Sequence, residues 1–273
     1  MPGLSPASKI DRDMRLLVTF AIDAEFAPWK SRHPFVPYEF DDAGVRREFD
    51  LFRANLGTNE VTVLLSGMGG ENATKAMRTV PLERADVIIS AGLAGALDAN
   101  LTPGDIVVAR TSRVGGQRTK TESDGALVDL AVAAGARAVD VFLTSETIVA
   151  TAIEKEALRV SGSVVEMETS YVLAEAAKRQ VPGVAVRAIS DAADEDLPVD
   201  FQRIADSRGH VKVGGLLKEL AMHPSRFAPL VRFGQQSRAA SEALADFLDN
   251  YVLLIAEKWS KVQGLSREEI SAT

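Results

Sequence analysis

The sequence predicts an α/β domain: a three-layer α/β/α sandwich around a central mixed, largely parallel sheet. Three observations predict it. Short aliphatic runs without helical period alternate with helical segments along the chain. Several of those runs are apolar at consecutive positions, as strands covered on both faces are. The 273 residues show no internal repeat and no linker rich enough to divide them, so one domain accounts for residues 15–273.

Taken in order, Leu16-Leu17-Val18-Thr19-Phe20-Ala21 is a buried strand. Residues 23–30 start a helix, and Pro34 and Pro37 break the chain after it. Phe49 to Leu56 and Val61 to Leu65 flank Gly57-Thr58-Asn59-Glu60 as a hairpin. Ser66-Gly67-Met68-Gly69-Gly70 is a glycine loop before a helix from Glu71 to Thr79. Val87 to Ala91 is a second buried strand, closed by Gly92 and Gly95 as a turn, and Pro103-Gly104 turns the chain into a strand from Ile106 to Ala109. Residues 111–124, polar and without a periodic face, read as a mobile loop. A helix over 125–135 leads to a strand from Val139 to Leu143, and Thr151 with Glu154 forms a capping box for the next helix. Val164-Val165 is a brief strand, Glu168 to Gln180 a helix, and Val184 to Ile189 a buried strand. Residues 195–236 form an added segment of short helices and loops, its prolines preventing one long helix; Ser237 to Trp259 is the closing helix. Residues 1–14 read as a loose tail without the apolar stretch of a signal peptide, so a cytoplasmic protein is expected.

Composition removes several function classes. Hydrophobic residues make up 46% and charged residues 25%, an ordinary globular balance. Lys and Arg number 31 against 38 Asp and Glu, a net charge of −7, which disfavours nucleic-acid backbones and anionic membranes as partners. Without cysteine there is no disulfide, thiolate zinc site or cysteine nucleophile, and His33, His210 and His223 are scattered, so no metal is expected. No G-x-x-x-x-G-K-[ST] or G-x-S-x-G occurs, and Asn72 stands where a dinucleotide fingerprint begun at Gly67 needs its last glycine, which disfavours an oxidoreductase.

In sheets of this kind ligands bind beyond the carboxyl ends of the strands. There the sequence places Asp23-Ala24-Glu25, Ser66-Gly67-Met68-Gly69, Gly92-Leu93-Ala94-Gly95, Glu166-Met167-Glu168 and Ser190-Asp191. Carboxylates and glycine loops at strand ends leave glycosidic chemistry open. Singly, each has a structural alternative: Asp191 suits a helix N-cap or turn, Glu168 a first-turn acid, Met167 a core position.

Five collinear segments make the resemblance specific. Phe20 to Glu25 resembles the opening strand and acidic turn of the methylthioadenosine/S-adenosylhomocysteine nucleosidases, members of the nucleoside phosphorylase-1 superfamily. Ser66-Gly67-Met68-Gly69 resembles that superfamily's second glycine loop, and Val87 to Gly95 with Pro103 to Val108 its signature segment. Val165-Glu166-Met167-Glu168 is similar to its ribose-binding motif, and Val186 to Asp191 to its Arg-x-x-Ser-Asp motif. The resemblance implies that Asp191 is the general acid toward purine N7, that Glu168 grips the ribose hydroxyls with Met167 on the sugar face, and that Glu25 activates water. Ser190 would orient Asp191. Gly67, Met68, Gly69 and Gly92 would line the substrate, and Ile148 stands where the nucleosidases place an aromatic residue against the base. Arg187 is expected to be a structural partner of nearby carboxylates, and Glu166 structural.

The resemblance implies cleavage of a purine nucleoside of adenosine type without a cofactor, by a homodimer or higher homo-oligomer. Phosphorolysis, with phosphate as co-substrate, is the alternative; Glu25 stands where the hexameric purine phosphorylases carry an arginine, which favours hydrolysis. A non-catalytic nucleoside-binding module is the rival outside enzymology, and three carboxylates at strand ends argue against it. The long segment from Glu195 to Gln236 is more like the hopanoid-associated phosphorylases; extra packing against the sheet is the first reading of its apolar residues, and an apolar lid of Phe227, Leu230 and Phe233 over the 5′ end of the ribose is the functional alternative.

Overall fold

The computed structural model describes residues 14–39, 49–199 and 222–271. β1 (Met14–Phe20) runs into α1 (Asp23–Arg32), then a two-residue β2 (Val36–Pro37). The hairpin of β3 (Asp50–Leu56) and β4 (Asn59–Leu65) turns at Gly57-Thr58. There follow α2 (Gly70–Thr79), β5 (Val87–Ala96), β6 (Ile106–Val114), β7 (Lys120–Glu122), α3 (Gly125–Ala133), β8 (Arg137–Thr144), α4 (Ala152–Leu158), β9 (Val164–Glu166), α5 (Thr169–Lys178), β10 (Gly183–Asp191) and α6 (Phe227–Ser271).

The ten strands form one mixed sheet with an arm and a ring. β2-β3-β4-β1-β5 is the arm. From β5 the pairing continues both to β10 and to β9, and β10-β6-β8-β9 returns to β5, so five strands close on themselves. Five strand pairs are parallel and five antiparallel, so the sheet is mixed without being largely parallel.

Apolar alternation explains the packing. Leu16, Val18 and Phe20 of β1 face one core with Phe26 and Trp29 of α1, Leu127 of α3 and Leu244, Leu248 and Ile255 of α6. Leu17 faces the other side, where Met77 of α2 and Val172 and Ala176 of α5 cover the sheet. Burial on both faces is what makes β1 a continuous apolar run. Every ring strand contributes to a third cluster that includes Ala94, Val107, Phe142, Val164 and Ile189.

Three local expectations need correction. Gly92 and Gly95 lie inside β5 rather than in a turn after it. Residues 111–124 are no loop: β6 runs on to Val114, and β7 pairs with it through Thr111, Ser112 and Arg113. The alternation there is polar because the strand is half exposed. The closing helix starts at Phe227, ten residues before Ser237. Pro229 falls in its first turn, where the missing N–H costs no intrahelical bond, so it opens the helix instead of breaking it. Residues 1–13 and 200–221, which hold most of the tail and of the added segment, lie outside the described residues.

α6 is fastened to α1. Trp29 Nε1 donates to Asp249 Oδ1 at 2.7 Å, His33 Nε2 lies 2.6 Å from the same oxygen, and Arg32 pairs with Asp246 and Asp249. Farther along, Asn59 Nδ2 donates to Val252 O at 2.8 Å and the Tyr251 hydroxyl to Leu127 O at 2.7 Å. Among the described residues no helix is long and apolar enough to cross a membrane.

Candidate active site

A cavity of about 850 Å³ opens at the carboxyl ends of β1, β5 and β10 and runs out between α1 and α6. Glu25, Met68, Ile148, Met167, Ser190 and Asp191 all line it. Glu168, Gly67, Gly69 and Gly92 do not; they stand behind the wall, in contact with groups that do.

Glu25 comes from the first turn of α1. Its Oε2 accepts the N–H groups of Ala21 (3.0 Å) and Ile22 (3.4 Å), and its Oε1 accepts that of Leu93 on β5 (2.9 Å). Burial pushes this carboxyl above its ordinary value, and the three N–H donors and the Arg187 charge only partly offset that. Gly92 makes the approach possible: a Cβ there would sit 3.0 Å from Glu25 Oε1.

Asp191 ends β10 on the other side of β5. Ser190 Oγ donates to its Oδ1 at 2.6 Å, and Lys155 Nζ to its Oδ2 at 2.5 Å. Here the enabling residue is Gly95, whose Cβ would come within 2.9 Å of Asp191 Oδ2. The two glycines of the G-x-x-G motif thus seat two different carboxylates along one strand. They are three residues apart, about 10 Å by the rise of a strand.

The two glutamates of the Glu166-Met167-Glu168 motif differ. Glu166 is buried and neutralised: its Oε2 lies 2.8 Å from Arg187 and accepts the N–H groups of Glu168 and Thr169, while its Oε1 accepts the Thr144 hydroxyl. Arg187 uses its remaining donors on Ser90 O, Ser90 Oγ, Val186 O and Thr169 Oγ1, so it is an internal tie and offers nothing to a ligand. Glu168 has no cation of its own. Its Oε1 accepts the Gly69 N–H at 2.7 Å, and burial together with the Glu166 charge raises its carboxyl to about 8. Gly69 stands at the entry to α2, so the second glycine loop serves to hold Glu168.

Ile148, flanked by Thr147 and Val149, supplies an apolar wall. Of the expected lid residues, Phe233 lines the cavity, whereas Phe227 is exposed and Leu230 does not reach it. The outer wall sets Ala24, Ala27, Pro28 and Ser31 on α1 against Gly234, Ser237 and Ser241 on α6, with the charged Arg32, Arg238 and Glu242 beside them. Phe201, Leu216 and Leu217 lie outside the described residues.

Sequence reasoning missed Lys155. On the helix Ala152–Leu158, Lys155 is 0% exposed while Ile153 is 84% exposed. A lone lysine among glutamates carries no signal of burial; only the position of Asp191 in space reveals it. Among the described residues no cluster of three or more His, Asp or Glu side chains could hold a metal ion.

The fold has counterparts among solved structures. A methylthioadenosine/S-adenosylhomocysteine nucleosidase from Neisseria meningitidis, in complex with methylthio-immucillin-A, is 20% identical; the match covers 87% of this chain and 98% of that one, with a TM-score of 0.63. The corresponding nucleosidase from Helicobacter pylori, with butyl-thio-DADMe-Immucillin-A, is 19% identical over 88% of this chain and 97% of its own, at 0.64. Futalosine hydrolase from Helicobacter pylori is 18% identical over 88% and 97%, also at 0.64. At these identities the likeness establishes the architecture. The family is established by sequence: the profile of the phosphorylase superfamily matches residues 15–220, three quarters of the chain, and the chain belongs to that superfamily.

Proposed function

We propose that the protein hydrolyses the N-glycosidic bond of a purine nucleoside of adenosine type. The observation that carries this reading is the pairing of Glu25 and Asp191 on the wall of one cavity, each seated against β5 by its own glycine. Asp191 donates a proton to N7, so the C1′–N9 electron pair collapses onto a base that leaves neutral. Met167 packs on the sugar with Glu168 next to it behind the wall, and the Glu25 carboxylate stabilises the oxocarbenium-like species at C1′. Water adds to C1′ and gives its proton to Glu25. The carboxyl raised by burial is better matched to that task than an ordinary glutamate.

Hydrolysis is favoured over phosphorolysis because a phosphate at this wall would meet the Glu25 carboxylate, while the guanidinium of Arg187 is fully engaged elsewhere. Names of solved relatives support the same reaction class: two are nucleosidases of adenosine derivatives and one is a hydrolase. No cofactor enters the scheme. The outer end of the cavity between α1 and α6 leaves room for a nucleoside extended at its 5′ carbon, and sets small residues beside the charged Arg32, Arg238 and Glu242 there. The exposed Ile153 and Val160 beside the cavity's Ile148 loop support a homodimer, which light scattering would report as a mass well above 29.3 kDa.

The deciding assay incubates the protein with adenosine, 5′-methylthioadenosine, S-adenosylhomocysteine and inosine, with and without phosphate. Free base and free ribose without phosphate are expected. A phosphate requirement with ribose-1-phosphate as product would replace hydrolysis by phosphorolysis, and binding without turnover of any substrate would leave a nucleoside-binding module.

A further inference from the structure

Lys155 is the least expected residue near the site. Its side chain is 0% exposed, and its ammonium spends all three donors: on Asp191 Oδ2 at 2.5 Å, Ala192 O at 2.7 Å and Glu195 O at 2.6 Å. A buried ammonium is tolerable only when both its charge and its protons are matched. The protons are matched by two main-chain carbonyls and one carboxylate; the charge is matched by Asp191 alone. Asp194, on the same loop, is exposed to solvent, and the other charged groups of this loop and of α4 are committed. Glu154 accepts from Ala150, Thr151 N and the Thr151 hydroxyl, and Glu156 pairs with Arg159. Asp196 accepts the Ala152 N–H, and the Glu195 carboxylate engages Arg232 and Gln236 on α6. Across the cavity, Glu25 is held by main-chain N–H groups, Glu166 by Arg187 and Glu168 by Gly69.

Resting on the reading of Asp191 as general acid, we propose that Lys155 is its positioning residue and proton reserve. Ammonium–carboxylate and amine–carboxylic acid differ only in where one proton sits along the contact between Nζ and Oδ2. Asp191 passes to the departing base a proton that it takes up from the Lys155 ammonium along that contact. The balance closes: the C1′–N9 pair goes to the base, which leaves neutral with the added proton. Lys155 is left as an amine beside a carboxylate, and the proton of the attacking water goes to Glu25. Solvent restores the ammonium after the products depart. The transferred proton is therefore drawn from the ammonium through Asp191, so its supply depends on the contact between the two side chains.

The experiment is the pH dependence of kcat, with the nucleoside of the panel that the wild type cleaves fastest. The wild type should hold its kcat into alkaline pH. Lys155→Met, nearly the same in volume but without a charge, should lose at least tenfold at pH 8. Its alkaline limb should move by a unit or more toward acid, its activity should recover on acidification, and KM should change little. Glu195→Gln is the control for mere loosening of the loop: it leaves the Lys155–Asp191 contact, so its effect should fall on KM with the limb unmoved. A Lys155→Met profile superposing on the wild type after scaling overturns the proposal. If Lys155→Met does not fold, Lys155→Arg serves, since a guanidinium keeps the charge but cannot surrender a proton; its limb should move the same way. Independently of any variant, a wild-type alkaline limb below about pH 7 also overturns it. Asp191→Asn runs alongside: a wild type that cleaves nothing sinks the nucleosidase reading, whereas an active wild type, a dead Asp191→Asn and an unshifted Lys155→Met sink only the lysine.

Discussion

The two ends of the cavity hold their carboxylates by opposite means. Glu25 is gripped by main chain: three backbone N–H groups from two elements fix both its oxygens. Asp191 is gripped by side chains, the Ser190 hydroxyl and the buried Lys155 ammonium. Main-chain donors stay put whatever residue bears them, so the Glu25 end is robust to point substitution of its surroundings. The Asp191 end can be tuned or broken one residue at a time. The same division separates Glu168, held by the Gly69 N–H, from Glu166, held by Arg187, Thr144 and two N–H groups.

Substitutions can break this comparison. The largest effect is expected from Asp191→Asn, because an amide cannot protonate N7. Base release should fall by roughly 10³-fold or more with nucleoside binding retained, and a residual rate above about a tenth of wild type would remove Asp191 from the role. Glu25→Gln should lower kcat by about 10²-fold; its amide must also turn an NH₂ toward backbone N–H groups, so a modest loss of thermal stability should accompany it.

Gly95→Ala and Gly92→Ala sharpen the contrast between the ends. The added methyl at 95 meets Asp191 Oδ2 at 2.9 Å, and a side-chain-held carboxylate can shift together with the Lys155 ammonium; kcat should drop about tenfold, with a smaller fall in melting temperature than at 92. At 92 the methyl meets Glu25 Oε1 at 3.0 Å, on a backbone with φ of +155° and against a carboxylate that cannot yield. The cost there should appear as a melting temperature lower by several degrees. Equal melting temperatures for the two variants would erase the distinction.

Glu168 gives the smallest effect and a pH signature. Its carboxyl is raised from 4.5 to about 8, so between those values the folded protein binds more protons than the unfolded chain. By linkage, stability falls as pH rises through that window. Glu168→Gln should flatten that slope and melt higher than wild type at pH 8, measured by thermal melts at pH 5 and pH 8. A slope unchanged by the substitution would show that Glu168 is not its source.

How much of this was legible in the sequence depended on whether the determinant was local. β1, the hairpin and the capping box at Thr151 follow from apolar runs, a Gly-containing turn and an i, i+3 side-chain match, and the structure has all three. Glu25, Asp191 and their neighbours were legible because motifs at strand ends fall where a parallel sheet gathers its ligands. What escaped was set by tertiary packing. Gly92 and Gly95 read as turn formers, yet their missing side chains make room for carboxylates from α1 and β10, distant in sequence. Ring closure through β5–β10 and β5–β9 leaves no local trace, since each strand looks the same whether its sheet is open or closed. Lys155 is the sharpest case: between two glutamates, nothing short of its distance to Asp191 marks it as internal.

Ring closure carries a further consequence. A strand in an open sheet can slide along its neighbour at the cost of a few shifted pairings, but in a closed ring every register is tied to all the others. β5 belongs both to the ring and to the arm, so the seats it offers to Glu25 and Asp191 are mechanically locked. The wall between α1 and α6 is not tied into the ring: its two helices are held by side chains alone, through apolar packing and the ion pairs around Asp246 and Asp249. Mutational drift can therefore reshape what the cavity admits at its outer end while the bond-breaking geometry stays fixed, and one chemistry can be lent to a succession of different substrates.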